Sequence, residues 1–338
     1  MSVHCFVTRP GFFRLLLASA VVVSHLSNLE IGRPAVMIFF ILSGYWVTRM
    51  FDTKYATGSH RIRTFYASRL LRIWPVYACV LVLAVITFAA LNISSQSLSL
   101  SNLTLIGLAS TGGDPLGVSW SLDIELQFYL LLPIFLGLVV WSEQHRFGTL
   151  KLAGLAIAAF FWGWFLQLEF GIWTVLSYLP LFAAGMILAR LEYLPTTRTT
   201  LLSGLVFLAV GVLATLLPFT EDYLLKDSVT PFPEDWFGML WALTLLPFIA
   251  WNVQQESPPL DRHLGNISYT LYLVHWPIIL IAQSFLTSQM GHMWKVIAIL
   301  VSFTVAVLIY LACDMPLERL RRQIIRHLQI KPAERALA

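Results

Sequence analysis

The chain has 338 residues, of which 58% are hydrophobic and only 12% charged, and its mean hydropathy is +0.75. A soluble domain is roughly a quarter charged, so composition excludes one. Hydropathy this continuous also excludes an outer-membrane barrel, whose strands show short alternating runs. The expectation is an all-α fold, a polytopic transmembrane helical bundle.

Ten apolar runs serve as candidate spans, centred on residues 12–29, 34–51, 73–92, 124–141, 150–168, 171–190, 201–219, 235–253, 266–287 and 293–313. Each approaches the roughly 17–25 residues that a spanning helix needs. With the N-terminus in the cytoplasm, Arg33, Lys226 and Lys295 are the only Lys or Arg left outside. The positive-inside bias therefore predicts that both termini are cytoplasmic. The net charge of +4 reflects that topology, and no nucleic-acid partner is expected. The first run lacks a small-residue cleavage site and is interrupted by Arg14, so it is expected to be retained. The chain 1–338 is expected to be one transmembrane domain, with spans and loops over 1–318 and a basic cytoplasmic tail over 319–338. Cys5, Cys79 and Cys313 are scattered and imply neither a disulfide framework nor a metal site.

The first run, FFRLLLASAVVVSHLSNL, holds Arg14 and His25. Eleven residues of helix separate them by about 16 Å and return them to nearly the same face. Ionisable groups inside a span are costly and face the bundle interior by default. The bland alternatives are a snorkelling anchor for Arg14 and a hydrogen-bonded interior histidine for His25. In the second run, Ser43 and Gly44 either let a neighbouring helix approach closely or offer a hydroxyl to a cavity. Ahead of the third run, Arg69 and Arg72 share a helix face. They read either as lipid anchors or as two guanidinium forks for a phosphorylated ligand. Trp74 and Pro75 are expected to mark entry into that span.

The connection 93–123 contains no Lys or Arg and ends in WSLDIELQFYLLLP, Trp120 to Pro133. Asp123 is expected to face water or cap a helix N-terminus. Glu125 lies deeper, followed by Phe128 and Tyr129, as either a helix-end charge or an interior acid. Trp162, Trp164, Phe165, Trp173 and Tyr178 are expected to be packing or interfacial aromatics. The acidic loop 220–234, with Asp235 beside it, is expected to form a solvated outer rim. In the ninth run His275 lies about 15 Å into the helix, with Ser268, Tyr269 and Tyr272 striping it with hydroxyls.

Together these motifs resemble the acyltransferase-3 family of membrane proteins, which O-acylate bacterial surface sugars and similar molecules. The resemblance rests on Arg14-x10-His25, FFILSG at Phe39–Gly44, RLLRIWP at Arg69–Pro75 and WSLDIELQFYLLLP at Trp120–Pro133. LGNISYTLYLVHWP at Leu264–Pro277 and DMP at Asp314–Pro316 fit more weakly. Tyr45-Trp46 and Asp123 depart from the family's usual residues.

The resemblance implies an acyl-CoA cosubstrate, acetyl-CoA above all, on the cytoplasmic side, with no tightly bound cofactor. Arg69 and Arg72, helped by Arg14, would hold its phosphates, with the thioester near His25. His25 would act as general base toward a carbohydrate hydroxyl, and Glu125 would orient it. Ser43, Trp120, Tyr129, Tyr269 and His275 are further pore-lining candidates. The implied partners are acyl-CoA, a carbohydrate or glycolipid acceptor, the bilayer of a bacterial inner membrane, and polysaccharide-assembly proteins. Two rival classes are a proton-coupled transporter or flippase of a polysaccharide precursor, and a non-catalytic membrane scaffold. A scaffold has no need to bury a histidine, a glutamate and two arginines.

Overall fold

The structure, a computed structural model, describes residues 8–55, 60–94, 98–216 and 234–329. Every regular element among them is helical. These are α1 (Pro10–Leu26), α2 (Gly32–Thr53), α3 (Arg61–Ala90), α4 (Leu100–Thr104), α5 (Leu108–Thr111), α6 (Trp120–Gln144) and α7 (Gly148–Phe170). A 3-10 turn (Val175–Tyr178) leads into α8 (Leu179–Leu191) and α9 (Thr197–Leu216). Then come α10 (Glu234–Thr244), α11 (Leu246–Asn252), α12 (Pro259–Met290), α13 (Met293–Ile309), a π-helical turn (Tyr310–Asp314) and α14 (Met315–Gln329). Cys5, the acidic loop 220–233 with Lys226, and the tail from 330 lie outside the described residues.

Among the described residues, 7 helices are long and apolar enough to cross a membrane. The protein is an integral membrane protein. Ten spans were expected, and the sequence runs and the helices differ in three places. The run 12–29 gives a helix of 17 residues, α1. The run 171–190 is a 3-10 turn followed by the short α8. The run 235–253 breaks at Leu245 into α10 and α11. There Pro247 sits at the start of α11, where its missing N–H costs nothing to the new helix but would interrupt a continuous one. A fourth difference concerns Trp74 and Pro75, which do not begin the third span. They lie inside α3, which is 30 residues long and so about 45 Å. An apolar core is about 30 Å thick, so the basic first turns of α3 extend past it.

The chain divides into two compact units. One comprises residues Met1–Leu42 and Ile187–Leu311, the other Ser43–Met186 and Ala312–Ala338. The chain passes from one to the other within α2, α8 and the π-helical turn.

In the first unit α1 packs along α12, and α12 along α13. α1 buries Phe13, Leu17, Ala18, Val21 and Val22, the three-to-four spacing of one helix face. It has no side-chain cap of its own. Instead Asp261, fully buried in the first turn of α12, reaches across: Gly11 N–H donates to its Oδ2 (2.9 Å) and Phe12 N–H to its Oδ1 (2.8 Å). Ser257 Oγ donates to Oδ2 as well (2.6 Å). Two orphan amides of a helix N-terminus and a carboxylate satisfy one another, helped by the helix dipole. The approach requires glycine, since a Cβ on Gly11 would lie 1.8 Å from the Asp261 carbonyl oxygen. Asp235 is not part of a solvated rim. It is buried and pairs with Arg33 at 2.6 Å.

In the second unit α3 packs against α6 and α14, and α6 against α7. Gly44 lets α2 meet α8, because a Cβ there would lie 2.3 Å from the Phe182 carbonyl oxygen. Phe182 stacks on Phe128 with ring centroids 4.2 Å apart. Among the expected packing or interfacial aromatics, Trp164 and Tyr178 are buried while Trp162 and Phe165 are exposed. Leu155, Ile157 and Phe161 on α7 are each more than half exposed, and so are Leu201, Leu205 and Leu208 on α9. Apolar surface of that kind is stable against lipid tails.

Asp261→Ala takes the carboxylate acceptor from two amides at the start of α1, one buried and one partly buried. It is expected to lower stability by about 1–3 kcal/mol, read as a shifted unfolding midpoint in detergent. An unchanged midpoint would show that the cap contributes nothing.

Candidate active site

The first unit brings His25 and His275 together. His25 lies in the last turn of α1. Its ring centroid is 5.2 Å from that of His275 and 4.8 Å from that of Trp276, both on α12. Tyr272 is 6.0 Å from His275 and 6.4 Å from Phe39 of α2, closing an aromatic wall around the pair. His275 is fully buried. Its Nδ1 lies 3.1 Å from the Leu271 carbonyl, which only accepts, so Nδ1 carries the proton. Nε2 is then a lone pair, buried and without a hydrogen-bond partner among the described residues.

At the other end of α1, the Arg14 guanidinium sits beside Gly265. A Cβ on that glycine would meet Arg14 Nη1 at 3.4 Å. Arg14 and His25 therefore both lie along α12, ten residues apart on the partner helix. Tyr269 is half-buried on the same helix.

The second unit gathers a different set. Glu125 Oε1 accepts from Ser43 Oγ (2.7 Å) and from Tyr129 OH (2.5 Å). Ser43 Oγ and Tyr129 OH are themselves 3.5 Å apart. Of the alternatives for the Ser43–Gly44 pair, close helix approach holds at Gly44, while the Ser43 hydroxyl goes to a carboxylate. The buried Arg69 places its guanidinium 5.8 Å from the Tyr129 ring centre. Arg72, one turn on, is committed elsewhere: its Nη1 pairs with the buried Asp314 at 2.7 Å. Cys79 and Cys313 are unbonded thiols with their sulfurs 3.2 Å apart.

Asp123 neither faces water nor caps its own helix. It is fully buried, accepting from Ala109 N–H (2.9 Å) and Gln127 Nε2 (3.0 Å). Gln127 Oε1 in turn accepts from Val175 N–H (2.9 Å). Asp114 holds the start of α6, accepting from Leu116 N–H, Ser119 N–H and Ser119 Oγ (2.9, 2.6 and 2.9 Å). Burial pushes its carboxyl pKa up, while these hydrogen bonds pull it back. Trp120, next in the chain, packs its ring 5.7 Å from Trp173 and 6.1 Å from Tyr178.

A family model described as an acyltransferase domain matches residues 4–311. The chain belongs to the acyltransferase-3 family. Among its acyltransferase relatives, the peptidoglycan O-acetyltransferase OatA of Listeria monocytogenes serovar 1/2a is 25% identical over 359 aligned positions. That alignment covers 90% of this chain and 55% of OatA. Nodulation protein 10 of Rhizobium leguminosarum bv. viciae is 29% identical over 167 positions, 43% of this chain and 42% of that protein. The chain thus spans about half the length of the curated relatives it matches. No solved structure matches.

Sequence reasoning passed over Asp261 and the commitment of Arg72 to Asp314. Pro258 and Pro259 ahead of an acidic first turn do mark the start of α12. What Asp261 caps lies 250 residues away and leaves no local signal.

Breaking the Arg72–Asp314 pair takes a buried carboxylate partner from a partly buried guanidinium. Asp314→Ala is expected to cost about 3 kcal/mol of stability. Arg72→Leu combined with Asp314→Leu is expected to recover much of that loss, since apolar replacements of buried pairs are often neutral. Denaturant unfolding of the single and double variants checks both. A neutral Asp314→Ala would show that the pair is a solvated contact.

Proposed function

We propose that the protein is a membrane-embedded O-acyltransferase. It moves an acyl group, acetyl above all, from cytoplasmic acyl-CoA to a hydroxyl of a surface or exported carbohydrate. An acceptor such as peptidoglycan, named for the Listeria relative, fits that class. A bacterial inner membrane is the matching location.

The observation that carries the reading is the histidine pair. A buried nitrogen without a partner is rare in a native fold and calls for an explanation. His275 Nε2 is such a nitrogen, beside a second imidazole and against an aromatic wall. An acceptor hydroxyl is the group whose hydrogen both imidazoles suit. His25 takes the hydroxyl proton as the oxygen attacks the thioester carbonyl carbon. The tetrahedral intermediate then expels the thiolate, which receives the proton back from the imidazolium. His275 keeps its proton on Nδ1 and positions the hydroxyl by accepting from it. In an apolar surrounding no bulk base replaces the imidazole, so the step depends on the side chain.

In this reading Arg69 contributes its buried positive charge toward the donor. Glu125, which also accepts from Ser43, holds Tyr129 in place beside that guanidinium. The histidine pair then serves a proton transfer at the acceptor hydroxyl rather than a relay for transport.

The test is single-turnover transfer of labelled acetyl from acetyl-CoA. His25→Ala is expected to bind coenzyme A normally and to transfer about 10²–10⁴ times more slowly. His275→Ala is expected to lose less, because it positions rather than takes the proton. Wild-type transfer by His25→Ala would overturn the assignment. Absence of any acetyl transfer by the wild type would favour a transporter.

A further inference from the structure

The helix α14 follows the last span and is basic along one side. Its buried contact is Ile325, while Arg322 and Arg326 are exposed. Two hydrogen bonds fix its position within the second unit. Arg321 Nη1 donates to Ser68 Oγ (2.7 Å), next in sequence to Arg69. Gln329 Nε2 donates to the Lys54 carbonyl at the end of α2 (3.0 Å).

Between these elements is a cleft of about 470 Å³, with Lys54, Glu318, Arg321, Arg322 and Arg326 in its walls. That volume lies within the roughly 300–1,000 Å³ of small-ligand sites. Four cations face a single carboxylate there. Glu318 is already shared, accepting from Arg321 Nε (2.7 Å), Arg321 Nη2 (2.6 Å) and Arg322 Nε (2.9 Å). It therefore holds Arg321 and Arg322 in place, and a single carboxylate leaves most of the cleft's positive charge uncancelled. Among the described residues Lys54 and Arg326 pair with no carboxylate. Concave sites of one sign concentrate counter-charged ligands, and guanidinium forks match phosphate oxygens.

We infer that this cleft is a phosphate site for a nucleotide, receiving the phosphate-bearing end of acyl-CoA. The inference rests on the acyl-CoA reading above and moves the main phosphate contacts onto α14. Arg72 is spent on Asp314 and Arg69 is buried beside Tyr129, so neither is well placed as the chief anchor for a charged, hydrated group. A lipid headgroup offers the same phosphate chemistry. The concave shape and the cluster of four cations favour the nucleotide.

The test uses the full chain in phosphatidylcholine nanodiscs and titration calorimetry. The probes are coenzyme A, dephospho-coenzyme A and adenosine 3′,5′-bisphosphate. The variant is Lys54→Gln with Arg326→Gln. Both side chains are exposed and the Gln329 bond uses the Lys54 carbonyl, so folding is expected to be unchanged. Coenzyme A binding is expected to weaken about tenfold or more in the variant, from two lost charge-assisted contacts. Dephospho-coenzyme A, with one phosphate fewer, is expected to weaken less. Equal coenzyme A affinity in wild type and variant would overturn the inference while leaving the acyl-CoA reading intact. Wild-type protein that binds the bisphosphate through Lys54 and Arg326 but ignores coenzyme A would keep the phosphate site and overturn the donor. Unchanged nucleotide binding with loss only of bound phosphatidylglycerol, read by mass spectrometry in anionic nanodiscs, would make the cleft a headgroup site and overturn the inference.

Discussion

The reach of Asp261 across to the first turn of α1 is the contact on which the histidine pair depends. Helix starts expose amides that water satisfies in a soluble protein. Inside an apolar assembly those amides need a fixed acceptor, and here it comes from the start of α12. Gly11 and Gly265 thin the interface so that the carboxylate can arrive. With both helix starts pinned together, the register of α1 along α12 is set. Three to four turns further on, that register delivers His25 to His275 and Trp276. A polar clamp at one end thus positions the two imidazoles at the other, through two stiff helices.

The second unit handles charge differently. Four of its described cations have an assigned anion: Arg72 with Asp314, Arg321 and Arg322 with Glu318, Arg61 with Asp52. Ser68 accepts from both Tyr55 and Arg321. Lys54 and Arg326 line the cleft beside Arg321 and Arg322 and pair with no carboxylate among the described residues. The buried Arg69, whose Nε has no hydrogen-bond partner among the described residues, has no carboxylate partner among them either. Evenly matched charge is structural, and unmatched charge beside it is where a ligand gains most.

What the sequence made legible is local. The eleven-residue spacing of Arg14 and His25 follows from helix periodicity, and both side chains do lie along one partner helix. The Glu125–Tyr129 hydrogen bond follows from an i, i+4 spacing. Arg69 and Arg72 show the limit. Their spacing puts them on one face, yet Asp314, 242 residues away, separates their roles. The break at Leu245 had a local signal in Pro247, but the apolar run around it reads as continuous hydropathy. Ser43, read as a packing residue or a cavity hydroxyl, gains its meaning from a carboxylate on another helix. Tertiary partners decided each of these, and periodicity carries no information about them.

The central claim is that the histidine pair receives the acceptor hydroxyl. A structure of the full chain with coenzyme A and an unreactive carbohydrate acceptor tests it most directly. The account predicts an acceptor oxygen within hydrogen-bond distance of His275 Nε2 and of the His25 ring. An acceptor bound elsewhere, with both imidazoles still closed off by protein, would contradict it.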